Sequence, residues 1–146
     1  MTVRGEPWQA VLASERGAWA REHLEHDIVG WLTTTAGNGQ PQTSVISFLW
    51  EWDSLIFYSK PGTPKLRNIA RNPLVSFHLQ SDAHGDDVLT IEGRAAVDRD
   101  IPPSDVYAPY QAKYAQPLAH WKMDEAETAR DFSVPIRIRP TRVRID

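Results

Sequence analysis

Residues 28–59 constrain this chain more than any other stretch. The sequence DIVGWLTTTAGNGQPQTSVISFLWEWDSLIFYSK, from Asp27 to Lys60, holds three runs rich in β-branched and aromatic residues, 28–35, 42–51 and 54–59. Such side chains pack well on a pleated surface, so each run predicts a strand. Ala-Gly-Asn-Gly-Gln-Pro joins the first pair, and a two-residue Trp52-Asp53 corner joins the second. Connections this short cannot cross over a sheet, so neighbouring strands must run antiparallel, as a meander.

The same period extends the sheet. Strands are expected at 74–80 and 88–98, and a last one at 134–145. In that last run the apolar parity flips: Val134, Ile136 and Ile138 are even, while Val143 and Ile145 are odd. One extra residue near Pro140 restores facing, which predicts a bulge or bend there. Helices are expected at 8–25, where Trp8, Val11, Leu12, Trp19 and Leu24 share a face, and at 64–71. Within 102–131, Pro102-Pro103-Ser104-Asp105 can start a helix, Pro117 breaks it, and 119–131 can form another. Six strands, with helices only at the start, after the third strand and before the last, predict a mainly β (α+β) fold. The expected arrangement is a small antiparallel barrel in one domain, 1–146.

Composition narrows the function. The chain has no cysteine, which excludes disulfides, thiolate metal sites and thiol catalysis. No apolar run approaches the ~20 residues of a membrane helix, and MTVRGEPWQ lacks a signal-peptide core, so a cytoplasmic protein is expected. A net charge of -3 argues against general nucleic-acid binding.

Against that acidic background, FYSKPGTPKLRNIARNP gathers Lys60, Lys65, Arg67 and Arg71 at a strand-to-helix turn. Thr63 before Pro64 is a helix-start signal, a hydroxyl N-cap followed by proline at the first helical position. The free N–H groups and positive dipole end of such a helix favour an anion. Lys60 ends the strand and Lys65 lies in the first helical turn, so both ammonium groups can reach one point. Ser59, Thr63 and Asn68 add donors, and Gly62 permits close backbone approach. The pattern reads as a compact phosphate site, with a solvated basic helix face as the plainer account of Arg67 and Arg71.

Three pieces of this sequence carry a family resemblance: Gly39-Gln40-Pro41, the block Ser59-Lys60…Lys65…Asn68…Asn72-Pro73, and Glu92-Gly93-Arg94-Ala95. Across 28–98 the chain resembles the pyridoxamine 5′-phosphate oxidase-like split β-barrel flavoproteins. It is most similar to their actinobacterial flavin/deazaflavin oxidoreductase branch, several members of which use coenzyme F-420. The resemblance implies a six-stranded antiparallel split β-barrel with flanking helices, working as a homodimer with cofactor grooves between subunits. It implies that Thr43, Ser44, Val45 and Ile46 line a cofactor ring, and that Ser59, Lys60, Lys65 and Asn68 hold its phosphate. The oxidases carry an FMN-contacting arginine on the second strand, where this chain has Ser44-Val45-Ile46-Ser47-Phe48. They also carry a C-terminal arginine/histidine pair, and SVPIRIRPTRVRID has no histidine. Those departures disfavour pyridoxamine oxidation and favour the deazaflavin over FMN.

The remaining candidates divide between packing and chemistry. His23 and His26 are one helical turn apart but lack a clear third ligand, so surface histidines are the simpler reading. His78 could face a cofactor or sit hydrogen-bonded on the barrel. Asp82, His84, Asp86 and Asp87 fit a solvated hairpin tip better than a metal loop. Trp50-Glu51-Trp52 reads as packing at a strand corner. Tyr107, Tyr110 and Tyr114 have helical spacing, and either pack on the barrel mouth or wall a pocket with Trp121 against the ring. Tyr110 or His120 could then donate a proton, and Arg67, Arg71, Lys113 and Lys122 could meet an acidic coenzyme tail. The resulting expectation is a deazaflavin oxidoreductase passing hydride to a conjugated small molecule. An FMN-dependent enzyme, or a non-catalytic flavin or heme carrier, is the alternative.

Overall fold

A computed structural model describes residues 7–146 of the protein. Seven strands form one sheet: β1 Val29–Thr35, β2 Pro41–Ser47, β3 Leu49–Glu51, β4 Ser54–Ser59, β5 Leu74–His78, β6 Leu89–Val97 and β7 Val134–Ile145. The strand order is β2-β1-β5-β6-β7-β4-β3, with every pair antiparallel. The sheet curls until β2 stands beside β4 without a hydrogen-bonded ladder between them, which leaves a split in the barrel.

The expected single strand 42–51 is two strands, which makes seven rather than six. The break falls at Phe48, whose side chain is fully buried. Its backbone turns away from the ladder: the N–H donates to the Tyr114 hydroxyl at 2.7 Å, and the carbonyl accepts from Lys113 Nζ at 2.8 Å. The bulge near Pro140 is present. Glu92 pairs with Arg142 but Gly93 with Pro140, so Thr141 is the extra residue, and Val143 and Ile145 return to the core. Gly93 sits opposite this irregularity because a Cβ there would lie 2.6 Å from the Arg139 carbonyl oxygen.

Helix α3 spans Pro64–Arg71 as expected, but the other helices differ from the reading. The 8–25 segment breaks at Ser14 into α1 Trp8–Ala13, a 3-10 turn Glu15–Gly17 and α2 Ala18–His26. Ser14 is extended, and its hydroxyl donates to the Val11 carbonyl at 2.6 Å, a local bond that competes with the helix. Residues 102–107 form no helix, with a turn at 104–106, and α4 runs Ala108–His120 through Pro117. Beyond the proline, Met123 N–H donates to Leu118 and Lys122 N–H to Ala119, a Schellman closure with Lys122 left-handed at φ 56°. Helix α5 covers Glu125–Asp131, capped by the Asp124 carboxylate on the Glu127 N–H.

Two apolar cores result. Inside the barrel, Leu32, Phe48, Phe57, Phe77, Ile91 and Ile136 pack against Leu12 and Leu24 of the first helices. Outside it, Leu49, Ile56, Tyr58 and Ile101 pack under Tyr107, Tyr110 and Phe132. All six residues of β4 are buried, so both its faces need covers, and α4 with α5 supplies the outer one. Among the described residues no helix is long and apolar enough to cross a membrane.

Candidate functional site

A cavity of about 460 Å³ opens at the split. One wall is the end of β1 and β2, with Val29, Val45, Ile46 and Ser47; the other is Tyr58 of β4 with Tyr110, Tyr114, Leu118 and Phe132. Trp121 and Met123 stand at its rim, 38% and 39% exposed. A second, smaller cleft of about 290 Å³ is lined by Thr34, Gln42, Thr43, Ser44, Pro64 and Lys65, five of which carry polar side chains. Lys65 lines both hollows, so it stands where the larger cavity meets the smaller cleft. Its ammonium has no hydrogen bond or ion pair among the described residues, and burial lowers its pKa. A half-buried cation without a counter-charge is a place for an anion.

The four expected phosphate residues do not converge equally. Ser59 is fully buried, and its hydroxyl is engaged by the Lys60 carbonyl at 2.9 Å and by Thr63 Oγ1 at 3.0 Å. Thr63 accordingly does not cap α3 with its side chain, although its backbone holds the N-cap position. Asn68 is buried and faces inward, donating to Thr34 Oγ1 at 3.0 Å and Gln42 Oε1 at 2.9 Å. Lys60 is exposed, with its ammonium 5.3 Å from the Phe132 ring centroid. Ser59 and Asn68 therefore brace the turn and the β2 edge, and Lys65 alone of the four lines a hollow. The ring-lining set is divided too: Val45 and Ile46 line the larger cavity, Thr43 and Ser44 the smaller cleft.

Three of the four basic groups suggested for an acidic tail are engaged elsewhere. Lys113 Nζ binds the Phe48 carbonyl and lies 3.9 Å from the Phe48 ring centroid; burial brings its pKa down to about 8. The Arg71 guanidinium occupies the space above Gly37 in the β1–β2 turn and reaches Asn68 Oδ1 at 3.4 Å. Arg67 donates to the Gly62 carbonyl at 2.5 Å from an exposed position. Lys122 is exposed between the two rim residues Trp121 and Met123.

The tyrosines differ in the state of their hydroxyls. Tyr58 donates to the Pro102 carbonyl at 2.6 Å, and Tyr107 to the Glu51 carboxylate. Burial and that carboxylate push the Tyr107 pKa up to about 12. The Tyr114 hydroxyl is held by Ile28 and Phe48 backbone groups. Tyr110 lines the cavity, and its hydroxyl has no partner among the described residues. His120 is exposed and does not line the cavity, which leaves Tyr110 as the member of that pair within reach of a ligand there.

Other candidates are accounted for locally. His23 Nδ1 lies 2.9 Å from Asp27, and His26 Nδ1 lies 3.0 Å from the Glu22 carbonyl. His78 stacks on Trp31 on the outer face, 6.4 Å between centroids. Asp82 accepts the His84 and Asp86 N–H groups and so closes its own turn. Tyr58 and Phe132 were missed as cavity walls. The signal was present at Tyr58, which continues the outward parity of Ile56 on a strand apolar on both faces.

A curled antiparallel sheet with a cavity at its split defines the class of a flavin-type split-barrel protein. The family model for pyridoxamine 5′-phosphate oxidase matches residues 18–145, and the chain belongs to that family. It is a flavin-binding family that includes oxidoreductases. Among solved structures the chain is similar to an F-420 reductase, with 27% identity and a TM-score of 0.62 over 85% of this chain and 94% of that one. A candidate pyridoxamine 5′-phosphate oxidase from Listeria innocua has 27% identity and a TM-score of 0.66, over 87% and 94% of the two chains. The heme storage protein HutZ from Vibrio cholerae shares the fold alone, at 18% identity and a TM-score of 0.63 over 87% and 92%. Comparison with curated proteins gives no match.

Proposed function

We propose that this protein is an oxidoreductase that binds coenzyme F-420, a deazaflavin, along β2 and serves hydride transfer to a conjugated small-molecule acceptor in the cavity. The observation that carries the reading is Lys65, a half-buried ammonium unpartnered among the described residues, between the large cavity and a smaller cleft lined by Thr34, Gln42, Thr43 and Ser44. That junction suits a molecule with a flat ring at one end and a phosphate beyond it. The reduced deazaflavin supplies the hydride when bound, and the protein supplies orientation, charge and exclusion of water. Val45 and Ile46 offer the ring an apolar surface, Thr43 and Ser44 offer hydroxyls, and Lys65 offers its charge to the phosphate. Likeness to an F-420 reductase across most of both chains supports this cofactor, as does a second strand without arginine.

The outer face also supports a homodimer. Val45, Trp31 and His78 lie side by side across β2, β1 and β5, and Val45 is 48% exposed. A second copy on this strip would close the groove over the cofactor.

Titration of the purified chain with F-420, FMN and FAD, followed by tryptophan fluorescence, tests the cofactor. The deazaflavin is expected to bind most tightly. Tighter FMN binding would make this an FMN protein on the same barrel, and binding without turnover across an acceptor panel would make it a carrier.

A further inference from the structure

Asn68 of α3 is 3% exposed, and every polar atom of its side chain is engaged. Its amide nitrogen donates to Thr34 Oγ1 at 3.0 Å and to Gln42 Oε1 at 2.9 Å, while Oδ1 faces the Arg71 guanidinium at 3.4 Å. A cation on one side and two oxygen acceptors on the other fix which way this amide points. The consequence falls on the two acceptors, because both line the smaller cleft with Lys65. Gln42 Oε1 is occupied by Asn68, so the Gln42 carboxamide keeps its NH2 for the cleft, where that group has no partner among the described residues. Thr34 Oγ1 likewise accepts from Asn68, which leaves its O–H as a donor. None of the six lining residues is acidic. The cleft thus gathers N–H and O–H donors around one ammonium, a polarity that suits an anion.

From this we infer that Asn68 is a positioning residue: by taking the Gln42 side-chain oxygen it turns the Gln42 NH2 toward the cleft, and Gln42 is the second donor, beside Lys65, to a phosphate bound there. The inference deepens the proposed function and rests on its phosphate reading of Lys65. Asn68 itself touches no ligand.

FMN and riboflavin make the test, since they share a ring and a ribityl chain and differ by the phosphate. Affinity for each is measured on the full chain by quenching of flavin fluorescence, and the ratio of the two isolates the phosphate term from ring binding and from any general loss of structure. The parent is expected to favour FMN. Gln42→Leu, a change at an exposed position, should lower the ratio about ten-fold, the low end for a hydrogen bond to a charged group. Gln42→Glu, which keeps the shape and replaces the NH2 by an oxygen, should remove the preference. Asn68→Leu frees the Gln42 side chain to rotate and should lower the ratio about three-fold. In the Gln42→Leu background it should change nothing further, because it acts through Gln42. A ratio unmoved by Gln42→Leu, or an Asn68→Leu effect of equal size with and without Gln42, overturns the inference. If Lys65→Ala lowers the ratio while Gln42→Leu does not, the phosphate reading stands and this inference falls. A parent that does not favour FMN, including one that binds neither flavin, overturns both.

Discussion

The Tyr114 hydroxyl holds both backbone groups of Phe48, accepting from its N–H and donating toward its carbonyl, each at 2.7 Å. The carbonyl of Ile28 lies 2.6 Å from the same oxygen. One side chain of α4 thus ties the α2–β1 link and the β2–β3 junction to the cavity wall. Tyr114→Phe removes the partner of a buried N–H, a loss of about 1–3 kcal/mol. Urea denaturation should show that loss, while Tyr110→Phe should stay within about 0.5 kcal/mol of the parent, as substitutions away from such features do. Equal effects of the two would contradict the hydroxyl assignments.

Lys65 and Lys60 should differ in cofactor binding. The half-buried Lys65 ammonium is expected to contribute about 1.5–3 kcal/mol to phosphate affinity, the range for a hydrogen bond to a charged group. The exposed Lys60 should contribute less, because solvent and salt screen it. Fluorescence titration of Lys65→Ala and Lys60→Ala checks the order. A larger loss at Lys60 would place the phosphate on the outer side of the turn.

An acidic cofactor tail should be read by Lys122 and not by Lys113. Lys122 is exposed on the rim, whereas Lys113 is fixed to Phe48. Raising salt should therefore weaken F-420 binding in the parent and do so less in Lys122→Ala, since exposed charges are screened over about 8 Å at physiological ionic strength. Identical salt responses would remove Lys122 from the site.

Lys113 predicts a pH dependence of stability. Burial lowers its pKa from 10.5 to about 8, with the Asp27 carboxylate pulling the other way. Between those values the unfolded chain binds the proton that the native chain has released, so stability rises with pH across the window. Below about pH 8 the burial penalty is fully present. Above about pH 10 the raised pKa values of Tyr58, Tyr107, Tyr110 and Tyr114 act in the opposite sense, because the unfolded tyrosines ionise first. Denaturation of Lys113→Met against the parent from pH 7 to 10 should show a flatter slope in the variant. An unchanged slope would mean that Lys113 titrates as if exposed.

The β3–β4 corner carries Trp52 and Asp53 at φ 53° and 55°, both left-handed and neither glycine. A two-residue turn of this kind favours asparagine followed by glycine. Asp53→Gly should raise stability by about 1 kcal/mol, the scale of the side-chain penalty it removes. A fall in Tm would show that Asp53 makes a compensating contact.

What the sequence determined by itself was whatever depends on local chemistry. Period-two runs located the strands, Thr63-Pro64 located the start of α3, and the parity flip in 134–145 located the bulge at Thr141. These signals survive because strand facing and helix initiation are set within a few residues. Tertiary structure decided which polar groups were already spent. Ser59 and Asn68 look like ligand donors in sequence, yet their hydrogen bonds close the turn and brace β2. Tyr110 and Tyr114 have the same spacing and chemistry, yet one hydroxyl is consumed by Phe48, 66 residues away, and the other has no partner among the described residues. Pro117 should end a helix by its missing N–H, yet α4 continues past it to His120 and closes only around Lys122. The Asn68 and Tyr114 outcomes rest on partners 26 to 66 residues away, brought close by the curl of the sheet, and a linear pattern encodes neither.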